Sequence, residues 1–376
     1  MALNADIGMD DTQGQRRRAT GAKSTSEKWR LIGAWLIGIL AVGGIALTLS
    51  TRFVDEAAPV LELDIQGRLA ILPVTTDGAR GEDWIGWGLA TLIYEGLVAN
   101  DPIQAVRPDR LYGVMAEREL AGGSRERQRQ RQLARALGAE SVLDIAHERV
   151  GDGVALVLEV HRGEGAAAGR QRFEGDDVLE ATARLVAAAG NSLLAGGQPV
   201  PLEEILSDDD FTRRLYGEGV ERTLTSGAAA GRPYFEIALR HRPEFALARL
   251  RLVGVLRQLG ELESARSLAE ELLQQTQARG LRGAQARAYR ALGLIAAVDG
   301  DVAAAAEHYR QALRLEIQRA APLAQADAVG AQAQLASASG EPEKAQELFS
   351  EVLQVRQQAG DRLGQIDALV RLSSLA

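Results

Sequence analysis

Hydrophobic, small and polar positions in the carboxyl-terminal part of the chain repeat with a spacing of 40 residues. Within each unit the apolar and small residues recur at helical intervals, and a period of this length is typical of stacked helical repeats. Five columns share the spacing: Gly260, Gly300 and Gly340; Glu261, Asp301 and Glu341; Ala265, Ala305 and Ala345; Leu273, Leu313 and Leu353; Gln285, Gln325 and Gln365.

The spacing inside each unit resembles the tetratricopeptide pattern, in which Trp-x2-Leu-Gly-x2-Tyr is followed by Ala-x3-Phe. Small residues in this pattern let helix A and helix B of one repeat approach closely, while Leu and aromatic residues fill the space between them. The resemblance implies an all-α tetratricopeptide-repeat solenoid over residues 212–376, after a linker at 198–211. The best unit carries Tyr289, Leu292, Gly293, Ala296, Gly300, Ala305, Tyr309 and Ala312.

Residues before the repeats show a mixture of strand and helix patterns. The apolar run Arg68–Val74 is typical of a buried strand. Trp84–Ala99 carries apolar residues on one helical face, which predicts an amphipathic helix. The run at 103–108 predicts a second strand that Pro108 stops, because proline cannot continue a ladder of backbone hydrogen bonds.

A hairpin pattern follows two further predicted helices. Val154, Leu156, Leu158 and Val160 alternate with other residues after a Gly-Asp-Gly turn, which predicts a β-hairpin. A third hairpin strand and a closing helix over Asp177–Leu194 complete the segment. We therefore predict a small α/β domain over residues 67–197, with helices packed on a sheet.

This domain resembles the TolB-like amino-terminal α/β module found in the periplasmic part of CadC-type membrane-anchored regulators. The resemblance rests on "LAILPVTTDGARGEDWIGWGLATLIYEGL" and "RQLARALGAESVLDIAHERVGDGVALVLEV". In that family the module is usually followed by tetratricopeptide repeats. The resemblance implies a binding or sensory role and supplies no catalytic residues.

A stretch without charged residues, Leu31–Thr51, precedes both domains. As a helix it spans roughly 30 Å, which matches the hydrocarbon core of a bilayer. Basic residues are concentrated before the stretch, so the positive-inside rule predicts a cytoplasmic, disordered tail at 1–30 and export of everything after the span. The predicted fold class is thus α+β: one transmembrane helix at 31–51, a linker at 52–66, a small α/β domain and the all-α solenoid. The predicted location is the bacterial inner membrane, single-pass, with the carboxyl-terminal bulk in the periplasm.

Composition excludes several kinds of function. The net charge of −8 argues against bulk attraction to nucleic acid. The chain has no cysteine, so neither disulfides nor thiolate metal sites are available. The sequence has none of the common phosphate-binding, metalloprotease, hydrolase or calcium-loop motifs. We therefore expect no enzymatic activity, no catalytic residues, no metal and no cofactor.

The candidate binding surface is the groove, defined as the inner face of the repeat array that helix A of each repeat lines. Its three arginines favour an acidic or carboxylate-bearing peptide, because the guanidinium group pairs well with carboxylates. The alternative is that these side chains are only solvated. If the groove is a binding surface, exchange of Arg287 and Arg290 for glutamate is expected to leave the fold nearly intact and to abolish capture of an acidic partner. By register the groove contains Arg257, Arg287, Arg290, Asp327 and Gln334.

Two functions follow from this organisation. The first is a membrane-anchored periplasmic scaffold that binds a protein or peptide partner through its repeats. The alternative is the sensor half of a CadC-like transcriptional regulator or receptor-kinase system whose cytoplasmic effector is separate. A small-xxx-small pair in the apolar stretch also allows a homo-oligomer.

Overall fold

The computed structural model describes residues 63–76, 84–99, 103–120, 126–162, 167–194, 207 and 209–375. These residues lie in one compact unit, Val60–Ala376. The predicted tail at 1–30 and the predicted span Leu31–Thr51 lie outside the described residues.

The described residues form a small sheet with helices between and after its strands, followed by the repeat helices. The strands are β1 (Leu69–Ile71), β2 (Ser141–Val150), β3 (Gly153–His161) and β4 (Gly169–Gly175). The helices before the repeats are α1 (Ala90–Val98, preceded by a π-helical turn at Ile85–Leu89), α2 (Pro108–Glu117), α3 (Arg127–Ala136) and α4 (Val178–Leu193). The later helices are α5 (Asp210–Ser226), α6 (Ala228–His241), α7 (Ala246–Gln258), α8 (Leu262–Arg279), α9 (Arg282–Val298), α10 (Val302–Gln318), α11 (Pro322–Ala338), α12 (Pro342–Gln358) and α13 (Arg362–Ser373).

The four strands lie in the order β1-β2-β3-β4, with β1 parallel to β2 and the other pairs antiparallel. The predicted hairpin is confirmed, and its register places His147 opposite Leu156. The predicted second strand at 103–108 is wrong. Ala105 makes only an isolated parallel bridge to Leu69, and Pro108 begins α2. Proline suits the first turn of a helix because the backbone N–H that it lacks has no partner there.

Helices α1 and α4 pack against the apolar side chains of the sheet. Ile71 and Leu156 from the sheet share one buried core with Ile93 from α1 and Leu185 from α4. The same core continues into the first repeat helices, where Tyr216 is completely buried. The sheet domain and the start of the repeats are therefore joined by a continuous hydrophobic core.

The repeat helices form successive pairs, from α5 and α6 to α11 and α12, followed by α13. The recurring glycines Gly260, Gly300 and Gly340 each end the first helix of a pair, with φ of 79°, 82° and 78°. This left-handed conformation favours glycine, because a Cβ atom would crowd the backbone. The column of glycines thus marks the turn inside three successive repeats.

Where the two helices of a repeat cross, a small side chain on one helix faces a larger side chain on the other, and which helix carries the larger one differs between repeats. We call this arrangement the volume exchange. Gly293 on α9 faces Tyr309 on α10, and a Cβ atom at Gly293 would lie 2.6 Å from the tyrosine ring. In the preceding repeat, 40 residues earlier, the corresponding residues are Val253 and Ala269, both buried. A small residue on one helix is therefore paired with a larger residue on the other.

We expect Gly293→Val to destabilise the chain by about 1–3 kcal/mol, because the added side chain overpacks the crossing against Tyr309. Combining it with Tyr309→Ala reproduces the Val–Ala arrangement of the preceding repeat. The double variant should therefore be more stable than the sum of the two single effects predicts. Urea unfolding of all three variants measures this coupling.

The matched control is Gly254→Val, since a Cβ atom at Gly254 has no heavy atom within 4 Å. This control should leave the urea midpoint near that of the unaltered chain. Strictly additive effects of the two changes at 293 and 309 would contradict the volume exchange.

The predicted fold class needs correction. The described residues are mostly helical, with one small four-stranded sheet and helical repeats, and none of their helices is long and apolar enough to cross a membrane. The longest, α8, has 18 residues but carries charged side chains such as Glu263, Arg266 and Glu270. On the same finding, the predicted single-pass inner-membrane location is not supported.

Candidate functional site

Both ends of the repeat array contact the α/β domain. At the first end, the Glu221 carboxylate on α5 accepts hydrogen bonds from the backbone N–H groups of Trp87 (2.6 Å) and Gly88 (3.0 Å). These donors lie in the π-helical turn before α1, where a carboxylate satisfies free N–H groups and the helix dipole.

At the other end, helix α13 and the turn before it return to the α/β domain. Arg68 beside β1 forms an ion pair with Asp361 at 2.9 Å, and its guanidinium also donates to the carbonyl oxygen of Gly360 at 3.4 Å. Arg110 on α2 lies 3.7 Å from Asp367 on α13. We call these contacts the closure, because they complete a ring of protein around the groove.

The ring surrounds a cavity of about 710 Å³. One wall is the groove and the other is formed by α1, α2 and the segment before α2. All five residues predicted from register line this cavity: Arg257, Arg287, Arg290, Asp327 and Gln334. The repeat period thus brings the five candidate residues to one cavity, whereas the facing wall was not anticipated.

The cavity carries more positive than negative charge. Its repeat wall contributes Arg251, Arg257, Arg287, Arg290, Arg319 and Arg356. Its α/β wall contributes Arg68, Arg107 and Arg110. The acidic residues are Glu95, Asp109, Glu316, Asp327, Asp361 and Asp367. Among the described lining residues, nine arginines thus face six carboxylates, an excess of three positive charges.

Glu95 on α1 links the two walls of the cavity. Its two carboxylate oxygens lie 3.1 Å from Arg251 Nη2 and 3.0 Å from Arg287 Nη1. The Glu95 side chain is only 4% exposed. Burial raises the pKa of this carboxyl, but attraction by Arg287 and Arg251 outweighs burial and lowers the pKa below its ordinary value. Glu95 is therefore held as an anion between two successive repeats.

Asp327 on α11 occupies an equivalent position between two arginines of the array. It lies 3.1 Å from Arg290 and 2.9 Å from Arg356. Burial raises the pKa of Asp327, but the surrounding arginines, Arg290 first, lower it overall. Arg290 and Asp327 thus interact with each other within the groove.

Two of the five predicted residues differ from the other three in how their polar groups are paired. In the part of the chain that the structure describes, Arg257 has no ion pair or hydrogen bond from its guanidinium, and Gln334 has none from its amide. Gln334 is exposed, and Arg257 is partly buried. Burial raises the pKa of the nearby Tyr309 to about 12. Arg257 is therefore the arginine of the predicted set best placed to meet an incoming anion.

Sequence reasoning missed Arg251, Glu95 and the whole α/β wall. Arg287 was expected to be solvated or free for a partner, but its side chain is 29% exposed and paired with Glu95. The 40-residue spacing does contain one usable signal, because Arg287, Asp327 and Asp367 occupy the same column. Along the array this column changes from the positive Arg287 to the negative Asp327 and Asp367. The facing wall changes in the opposite sense, from the negative Glu95, which pairs with Arg287, to the positive Arg110, which lies near Asp367.

Comparisons with known proteins add little beyond the repeat architecture. No protein-family model and no curated protein matches this chain. A crystal structure of BtubC (BKLC) from P. vanneervenii is similar over 43% of this chain and 78% of its own, with 15% identity and a TM-score of 0.36. Two crystal structures of MamA, each 16% identical, cover 44% and 42% of this chain and 90% and 93% of their own, with TM-scores of 0.32 and 0.29. At these identities and TM-scores the similarity supports no argument about this chain.

Proposed function

We propose that the chain is a protein-interaction scaffold that binds an acidic segment of a partner protein in the cavity. The observation that carries this proposal is the excess of three positive charges around a cavity in which Arg257 has no partner within the described residues. Binding, without a catalytic step, is the proposed activity.

The chemistry of the lining favours carboxylates over other ligands. Arginine presents a planar set of donors that matches a carboxylate, and clusters of arginine are a recurring means of recognising acidic motifs. The cavity volume of about 710 Å³ lies within the range of ordinary ligand pockets, so it suits a short segment of the partner. The partner would thus insert a few acidic residues between the groove and the α/β domain.

The test is binding of a fluorescently labelled hexaglutamate peptide to the full chain, measured by anisotropy. We expect Arg257→Ala to weaken binding by about 10–100-fold, since hydrogen bonds to charged groups contribute about 1.5–3 kcal/mol. Affinity should also fall as salt is added, because screening weakens charge attraction.

The matched control is Arg310→Ala on the outer surface, where the side chain is 59% exposed and pairs with Glu307 of its own helix. This control should bind hexaglutamate as the unaltered chain does. No binding of hexaglutamate, or equal binding of a labelled hexalysine peptide, would overturn the proposed function.

A second candidate is the sensor half of a signalling system, in keeping with the resemblance of the α/β domain to TolB-like modules. The observation that favours it is the Glu95 contact, because a ligand that competes for the groove arginines also changes how the α/β domain is held. This candidate requires the same binding event and adds a structural response to it.

A further inference from the structure

Arg251 and Arg287 share a single carboxylate, that of Glu95, which a different domain supplies. Glu95 belongs to α1, whereas both arginines belong to the repeats. Arg251 and Glu95 are 156 positions apart in the chain, and Arg287 and Glu95 are 192 apart. The contact is therefore a long-range tertiary contact between the α/β domain and the repeats.

We propose that Arg251 and Arg287 form a carboxylate-binding subsite, which Glu95 fills in the unbound chain and which an acidic side chain of the partner fills in its place. This inference rests on the proposed function and names the part of the groove where the acidic segment is recognised.

The subsite is assembled by the repeats themselves. Arg251 Nε donates a hydrogen bond to the hydroxyl oxygen of Tyr216 at 3.1 Å, and the guanidinium lies 6.0 Å from the centre of the same ring. Tyr216 is completely buried and packs against Phe235 and Phe245. Because this aromatic cluster fixes Arg251 from the repeat side, its guanidinium remains oriented toward the cavity without help from Glu95.

The second arginine completes a two-point site for one carboxylate. Arg251 contacts one oxygen of Glu95 and Arg287 contacts the other, so the negative charge is shared between α7 and α9. Two positive groups at this spacing fit any carboxylate that reaches them, including one from outside the chain. The bound Glu95 thus shows the geometry that an external ligand would adopt.

Replacement of the Glu95 carboxylate by a carboxylate of the partner is favoured over release of Glu95 alone. Leaving Arg251 and Arg287 unpaired in a partly buried site is unfavourable, because the arginines would repel each other without a counter-charge. Glu95 lines the cavity, so its carboxylate is reached from the same space that the partner segment enters. A change in the Glu95 side-chain torsions would release both arginines to an incoming carboxylate.

The first experiment uses Glu95→Gln in the full chain and labelled hexaglutamate. Removing the internal competitor should tighten hexaglutamate binding about tenfold or more, because Glu95 no longer occupies the two arginines that the peptide must contact. Glu95→Asp keeps the charge and the fold but shortens the side chain, so it should tighten binding by a smaller factor. Glu148→Gln is the matched control, since Glu148 pairs with Arg172 on the sheet outside the cavity.

The second experiment separates this inference from the proposed function by using acetate, a carboxylate with no peptide attached. Sodium acetate should raise the melting temperature of Glu95→Gln more than sodium chloride does at equal ionic strength. The unaltered chain and Glu148→Gln should respond equally to the two salts. Adding Arg251→Ala to Glu95→Gln should abolish the selective effect of acetate.

The outcomes distinguish the two proposals. Equal hexaglutamate affinity of Glu95→Gln, Glu95→Asp and the unaltered chain, together with weakening by Arg257→Ala, would overturn the subsite and leave the scaffold function standing. Selective stabilisation by acetate without hexaglutamate binding would support the subsite and overturn the acidic-peptide function. A Glu95→Gln variant that responds equally to acetate and chloride would also overturn the subsite.

Discussion

Replacing Arg287 with glutamate is expected to destabilise the chain by about 3–5 kcal/mol. The new carboxylate would face Glu95, whose side chain is only 4% exposed, and would replace an attraction by a repulsion. Breaking a buried pair costs more than removing both charges, because the remaining charge stays in a poorly hydrated site. Urea unfolding followed by far-ultraviolet circular dichroism measures the loss.

Two comparisons make the interpretation specific. Arg310→Glu, on the outer surface, should cost less than about 1 kcal/mol because exposed ion pairs contribute little. Combining Arg287→Glu with Glu95→Gln should recover part of the stability, since the repulsion is removed. If Arg287→Glu unfolds at the same urea concentration as Arg310→Glu, the pairing with Glu95 is not a stabilising contact.

Replacing Gly138 with alanine should also have a large effect, of about 2–5 kcal/mol. Gly138 has φ of 93°, and an added Cβ atom would lie 1.9 Å from the carbonyl oxygen of Gly360 in the turn before α13. Alanine therefore adds backbone strain, about 1–2 kcal/mol, to a clash with backbone atoms that costs about 1–3 kcal/mol. The variant should open the closure, which limited proteolysis at α13 would detect.

Gly151→Ala is the matched control for backbone strain alone. Gly151 also has a positive φ, 59°, but a Cβ atom there has no heavy atom within 4 Å. This control should lose about 1–2 kcal/mol and keep α13 resistant to protease. Equal cleavage of the two variants would mean that Gly138 does not support the closure.

The repeat architecture was predictable because its determinants are local and recur. Columns such as Gly260, Gly300 and Gly340 mark turns that the backbone geometry requires, and they are visible without any knowledge of tertiary contacts. The hairpin was predictable for a similar reason, since alternation along β3 and a glycine turn define it locally. The error at Pro108 arose because proline ends strands and begins helices, and only the tertiary structure shows which applies.

Only the repeat wall of the candidate site could be predicted from the sequence. The repeat period placed Arg257, Arg287 and Arg290 on one inner surface, and the structure brings them to one cavity. The partner of Arg287 was not predictable, because Glu95 lies on a helix whose pattern indicates only a buried apolar face. Their contact depends on how the array returns to the α/β domain, and no local pattern specifies that path.

The closure also bears on the order in which the chain assembles. Helices within a repeat are neighbours in sequence and pair quickly, whereas Arg68 must meet the carbonyl of Gly360, 292 positions later. The entropy of closing so long a loop is offset only after the intervening repeats have stacked and shortened the distance. The ring is therefore expected to form only after α13 has left the ribosome, and until then the groove lies open to any acidic segment nearby.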